Sequence, residues 1–93
     1  MDRKTLTKLK CPGPVTWTAD IQRLFTAMDV AHMKQVTMGA LDLGDYQSVK
    51  IWSSKIFDEV SSGAMPPAGS GENAWTPQMI NLFGCWIQQG CPQ

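Results

Sequence analysis

The sequence has no excess charge of either sign and no long apolar run. Eight basic and eight acidic side chains cancel within 93 residues. Proteins that bind nucleic acid or anionic membranes through charge carry a basic surface, so we expect neither kind of partner. No apolar stretch is long enough to cross a bilayer. The polar opening segment "MDRKTLTKLK" lacks the apolar core of a signal peptide, which predicts a cytoplasmic location.

Histidine is also scarce, and the number of cysteines is odd. His32 is the sole histidine, which excludes most metal centres built from several histidines. Three cysteines are an odd number and cannot form a complete disulfide framework. In a reducing compartment we expect thiols. If one bridge forms, we expect Cys11 to pair with Cys91 and tie the chain ends together, leaving Cys85 as an inert thiol in the core.

The alternation of apolar and polar residues that marks a β-strand is absent, and apolar residues recur at helical spacing instead. The apolar stripes are Ile21, Leu24, Phe25 and Met28, then Val49, Trp52, Ile56 and Val60, and finally Met79, Leu82, Phe83, Trp86 and Ile87. Thr18, Asp45 and Thr76 are expected to cap the corresponding helices. We predict an all-α fold of four to five short helices, with residues 1–16 as a flexible arm and residues 17–93 as one domain.

Between the last two stripes, "SSGAMPPAGSGENAW" places a methionine before two prolines in a Pro/Gly-rich loop. Gly63 is expected to end the preceding helix. The order of these parts resembles a class I cytochrome c domain. "IQRLF" is similar to the segment before the haem-attachment site, "GAMPPAG" to the axial-methionine loop, and "WTPQMINLFGCWIQQGC" to the C-terminal helix. The resemblance covers residues 17–92 and implies a cytochrome c-like helical bundle with a Met-Pro loop.

The haem-attachment motif of that family is missing. Four residues after Phe25 the family has C-x-x-C-H, where this sequence has "DVAHM". Asp29 and His32 stand in place of the two thioether cysteines, and Met33 stands in place of the iron-binding histidine. Covalent haem attachment by that route is therefore excluded. The sequence resembles a haem-free branch of the family that keeps the scaffold.

Several side chains are candidates for a cofactor in spite of that loss. Met65 either remains an axial ligand of non-covalently bound haem, opposite His32 or Met33, or fills the vacated space as an adaptable core side chain. His32 with Met28 and Met33 either forms a soft site for Cu(I) or has no metal role. In the latter case Asp29 and His32 are expected to form a hydrogen bond at the end of the first helix.

The resemblance also implies a partner. In cytochromes of this class, the face around the Met-Pro loop is where redox partners dock. On that basis Met65, Pro66, Pro67 and Trp75 form a docking patch for a larger protein, such as an oxidoreductase. No nucleophile–base pair or carboxylate dyad is evident, so we expect a non-catalytic accessory module without a cofactor. The alternative is a carrier of non-covalent haem or Cu(I).

Overall fold

A computed structural model describes residues 11–65 and 74–93, which form helices and connecting turns with no β-strand among them. A π-helical turn at Trp17–Ile21 leads into a 3₁₀ turn at Gln22–Leu24, followed by four α-helices: α1 (Ala27–Val36), α2 (Tyr46–Ile51), α3 (Ser53–Ser62) and α4 (Pro77–Gln88). The predicted all-α class is confirmed. Within the described ranges, every helix is too short or too polar to cross a membrane.

The first helical turn begins at Thr16 rather than at the predicted cap, Thr18. The Thr16 hydroxyl accepts a hydrogen bond from the backbone N–H of Ala19 at 3.2 Å. The backbone N–H of Thr16 in turn donates to the Asp20 carboxylate at 3.0 Å. These reciprocal bonds satisfy backbone donors that a helix start leaves without partners, so they fix the point where the turn begins.

Residues 11–16, which the sequence analysis assigned to a flexible arm, are attached to the C-terminal helix. Cys11 forms a disulfide with Cys85 of α4. The backbone N–H of Val15 donates to the side-chain oxygen of Gln89 at 2.8 Å, and the Val15 side chain is buried. The folded domain therefore includes this segment. The rest of the predicted arm lies outside the described residues.

The apolar stripe from Ile21 to Met28 predicted one continuous helix, but the chain is extended at Phe25, with φ −97° and ψ 127°. A capping box starts α1 immediately afterwards. The Thr26 hydroxyl accepts from the Asp29 N–H at 3.1 Å, and the Asp29 carboxylate accepts from the Thr26 N–H at 3.0 Å. Asp29 therefore stabilises the start of α1. This corrects the prediction that Asp29 forms a hydrogen bond at the end of the first helix.

The remaining helix boundaries follow the sequence signals. The Asp45 carboxylate accepts from the N–H of Ser48 at 3.0 Å and starts α2. The Thr76 hydroxyl accepts from the N–H of Met79 at 3.2 Å and starts α4. Gly63 ends α3 in the left-handed conformation, with φ 83°. These three predicted boundaries are confirmed.

Six aromatic side chains fill the centre of the fold: Trp17, Phe25, Tyr46, Trp75, Phe83 and Trp86. Phe83 and Trp86 of α4 are fully buried, with ring centroids 5.4 Å apart. The Phe25 ring meets Phe83 edge-on at 6.2 Å, and the Trp75 ring lies 5.5 Å from Phe25. Aromatic pairs at such separations stabilise a fold beyond their buried area, so this cluster is the main packing unit of the domain.

The C-terminal segment that follows α4 is hydrogen-bonded to residues of the core. The Tyr46 hydroxyl donates to the carbonyl oxygen of Cys91 at 2.5 Å. The carbonyl oxygen of Pro92 accepts from the indole N–H of Trp86 at 2.8 Å and from the backbone N–H of Trp17 at 2.9 Å. These bonds connect the chain end to both the first turn and α2.

Candidate functional site

Two of the side chains that the resemblance relates to haem ligation meet at one cavity of about 280 Å³. Met33 reaches this cavity from α1, and Met65 reaches it from the segment after α3. Trp52, at the junction of α2 and α3, and Ile56 complete the apolar wall between them. His32 is not among the lining residues. Of the two predicted partners of Met65, the structure therefore brings Met33 to the cavity and not His32.

The polar groups around the cavity are already paired within the protein. The Thr37 hydroxyl donates to the carbonyl oxygen of Met33 at 2.6 Å and accepts from the backbone N–H of Leu41 at 3.0 Å. At the rim, the Lys55 ammonium lies 3.1 Å from the Glu59 carboxylate, with both side chains partly exposed to solvent. The cavity is therefore apolar inside and carries a neutral ion pair at its edge.

The cavity is small for a ligand site. Pockets for drug-sized ligands measure roughly 300–1,000 Å³, and this cavity measures about 280 Å³. Of the predicted Cu(I) set of His32, Met28 and Met33, only Met33 lines the cavity. Over residues 11–65 and 74–93, no group of three or more His, Cys, Asp or Glu side chains is placed to hold a metal ion.

The predicted docking patch is not an exposed surface where the structure describes it. Met65 is 6% exposed and Trp75 is 8% exposed, and the Trp75 ring packs in the aromatic cluster. Pro66 and Pro67 lie outside the described residues. Because a docking residue must reach its partner, Met65 and Trp75 cannot serve in that role in this conformation. They stabilise the cavity wall and the core instead.

Exposed apolar side chains lie on α1 instead. Met28 is 53% exposed and Val36 is 56% exposed, and the partly exposed His32 lies midway between them. Residues spaced by four share one face of a helix, so these three side chains form a stripe that we call the α1 stripe. Sequence reasoning missed this surface because Met28 also continues the apolar spacing of Ile21. The Thr26-x-x-Asp29 capping box was the signal that separates the two helices.

The structure pairs the cysteines differently from the prediction. Cys11 is bonded to Cys85, with the Cα atoms 5.6 Å apart, and Cys91 is the free, buried thiol. Burial raises the pKa of the Cys91 thiol above its ordinary value, while a hydrogen bond with Ser53 and the charge of Lys50 act in the opposite direction. The expected Cys11–Cys91 bridge is therefore wrong, because Cys11 is already bonded to Cys85 and the Cys91 thiol is buried.

Comparison with known proteins gives one informative likeness. No protein-family model matches the chain, and no solved structure matches it. Among curated proteins, cyclopenase penL of Penicillium thymicola is 35% identical to the chain over 91 residues. The alignment covers 88% of this chain and 12% of that enzyme. The chain thus spans only a small part of the relative's length, and it is similar to one segment of a much larger enzyme.

Proposed function

We propose that this chain is a non-catalytic accessory module that works together with a larger enzyme. The observation that carries the proposal is the likeness to cyclopenase penL, in which the matched segment is 12% of the polypeptide. A segment of that size leaves most of the enzyme outside the match. On this proposal the present chain corresponds to one component of such an enzyme and acts beside the part that performs the reaction.

The chemistry of the cavity supports binding rather than catalysis. The Thr37 hydroxyl is engaged with backbone groups on both sides. Lys55 and Glu59 are engaged with each other at 3.1 Å. A general base or nucleophile must itself be free to form a hydrogen bond or a covalent bond with the substrate. Thr37, Lys55 and Glu59 instead interact with groups of the protein.

The α1 stripe is the surface on which we place the enzyme. Met28 and Val36 each leave more than half of their side-chain surface in water. Covering apolar surface of this kind contributes roughly 25 cal/mol per Å² buried. Apolar anchors flanked by polar residues are typical of interface centres. The partner that the sequence resemblance implies, an oxidoreductase, is one class of enzyme that such a surface can serve.

An association assay tests this proposal. Cyclopenase penL lacking its matched segment is immobilised, and binding of the present chain is measured by biolayer interferometry. We expect saturable binding that weakens at least tenfold in a Met28→Asp/Val36→Asp double variant. The matched control is a Met38→Asp/Ile51→Asp double variant, which adds the same two negative charges at exposed apolar positions outside the α1 stripe and should bind like the parent chain. No binding, or equal weakening by both variants, would contradict the proposed surface.

The cytoplasmic location expected from the sequence stays a prediction, and the disulfide weighs against it. Bridges such as Cys11–Cys85 form and persist in oxidising compartments and are rare in reducing ones. Thiol labelling of the protein taken directly from cells under acid quench distinguishes the two cases. Labelling of Cys91 alone indicates an oxidising compartment, and labelling of all three cysteines indicates a reducing one.

A carrier of Cu(I) is the second candidate, because the thioethers of Met33 and Met65 line the same cavity. Thioether sulfur is a soft ligand that selects Cu(I). Competition for Cu(I) against a chromogenic chelator tests this function in Met33→Leu and Met65→Leu variants, with Met38→Leu as the exposed control. A parallel haemin titration tests the non-covalent haem alternative, which a saturable Soret band would support and its absence would contradict.

A further inference from the structure

The cavity between α1 and α3 has a deep apolar floor. Leu41, Ile56 and Met65 line it and are each nearly or fully buried, so its interior is well removed from bulk water. Ala64 also lines the cavity and is exposed, which places it at the mouth. A cavity with a buried floor and an open edge can admit a small molecule without unfolding of the domain. This feature is independent of the accessory role proposed above.

The cavity walls favour a ligand without charge. In the described part of the chain, every buried side-chain nitrogen or oxygen has a hydrogen-bond partner. The Thr37 hydroxyl is occupied twice, and the rim charges of Lys55 and Glu59 compensate each other. A charged ligand would lose its hydration without gaining a partner, whereas an apolar ligand loses nothing.

The size and the lining together narrow the class of ligand. An apolar cavity of about 150 Å³ is large enough to bind benzene, and this one measures about 280 Å³. The larger volume leaves room for an aromatic molecule of one or two rings. The lining provides two thioethers, Met33 and Met65, and the indole of Trp52. Thioether sulfur makes favourable contacts with aromatic rings, and aromatic rings pair with one another.

We propose that the cavity bounded by Met33, Trp52, Ile56 and Met65 is a binding site for a small, neutral aromatic molecule of one or two rings. The thioethers and Trp52 contact the ring faces and edges. The ion pair at the rim accepts a small polar substituent that points toward solvent. The site holds its ligand by shape and apolar contact, and binding needs neither a metal nor a cofactor.

Methionine methyl NMR tests the site with indole as the probe. The full chain, with its disulfide intact, is labelled at the methionine methyl carbons and titrated with indole. The methyl signals of Met33 and Met65 should shift saturably. The signals of Met28 and Met38, which are 53% and 94% exposed, should stay in place and serve as internal references. Equal shifts at all four methyl groups, or no saturable shift, would overturn the proposal.

Two comparisons separate site binding from surface adsorption. Ala64→Phe places a ring in the cavity mouth and should weaken indole binding at least tenfold. Ser61→Phe adds the same ring at an exposed position of α3 outside the lining and should change binding less than twofold. In the unmodified chain, acridine, with three fused rings, should bind at least tenfold more weakly than indole. Equal affinity for indole and acridine would overturn the size argument even if the Ala64→Phe variant fails to fold.

Discussion

Breaking the Cys11–Cys85 disulfide should cost a large part of the domain's stability. The bridge joins residues separated by 74 positions and so closes most of the chain into one loop. In the chain-entropy description, opening a loop of that length costs about 4 kcal/mol of unfolding free energy. The total free energy of unfolding of a small domain is about 5–15 kcal/mol. The loss of unfolding free energy should therefore be clearly larger than the changes that ordinary surface substitutions cause.

Cys11→Ala is the appropriate variant, because Cys11 is exposed and its truncation removes no core packing. Replacing the fully buried Cys85 would add a packing defect to the loss of the bridge. Urea unfolding followed by tryptophan fluorescence measures the difference from the oxidised parent chain. The reduced parent chain should agree with Cys11→Ala to within a few tenths of a kcal/mol.

The pairing itself has an independent check. Alkylation of the unfolded, unreduced protein should label Cys91 and leave Cys11 and Cys85 unlabelled, as read by peptide mass. A loss of stability below about 1 kcal/mol in Cys11→Ala, which is the size of an ordinary substitution effect, would refute the loop-closure argument. Labelling of Cys11 would refute the pairing.

Three further perturbations test the core, the helix start and the buried thiol. Phe83→Ala should lose about 3–5 kcal/mol in urea unfolding, because the ring is fully buried against neighbouring aromatic rings; a loss below 2 kcal/mol, the low end for a large-to-small core change, would contradict the packing. Thr26→Ala should lose about 1 kcal/mol through the capping box, whereas the exposed Ser54→Ala should stay within about 0.5 kcal/mol. Because burial raises the folded-state pKa of the Cys91 thiol, its contribution is complete below the ordinary value of 9.0 and is lost as pH rises through the folded-state value. The free energy of unfolding should therefore fall more steeply between neutral and alkaline pH for the parent chain than for Cys91→Ala. Equal slopes for the two proteins would refute this role of the thiol.

The sequence predicted those boundaries that depend on local hydrogen bonds. Asp45 and Thr76 accept from backbone N–H groups three residues ahead, and Gly63 supplies a positive φ, so each signal acts within a few residues. The all-α class was predictable for the same reason. The spacing of apolar residues identified the buried stripes of α3 and α4, including Ile56 and Phe83.

The break before α1 was missed because two local signals compete there. The spacing of Ile21, Phe25 and Met28 predicts a continuous helix, while the Thr26–Asp29 pair predicts a new start. The capping box satisfies two backbone donors at once, and it prevails. As a result Met28 lies at the surface, where periodicity alone had placed it in the core.

The site was predicted less completely because it depends on contacts between distant parts of the chain. Met33 and Met65 meet in one cavity, and the size of that cavity depends on the distance between α1 and α3, which local sequence signals do not set. The burial of Trp75 depends on Phe25 and Phe83, which lie far from it in sequence or on another element. The choice of Cys85 over Cys91 is equally non-local, since spacing alone cannot assign a pair.

The most direct test of the accessory role is a rescue of enzyme turnover. Turnover by cyclopenase penL is compared with turnover by the same enzyme lacking its matched segment, and by that shortened enzyme with the present chain added in excess. Circular dichroism verifies that the shortened enzyme is folded. The account predicts that deletion lowers turnover and that the added chain restores at least part of it. Full turnover by the folded, shortened enzyme, or no restoration by the added chain, would contradict the central claim.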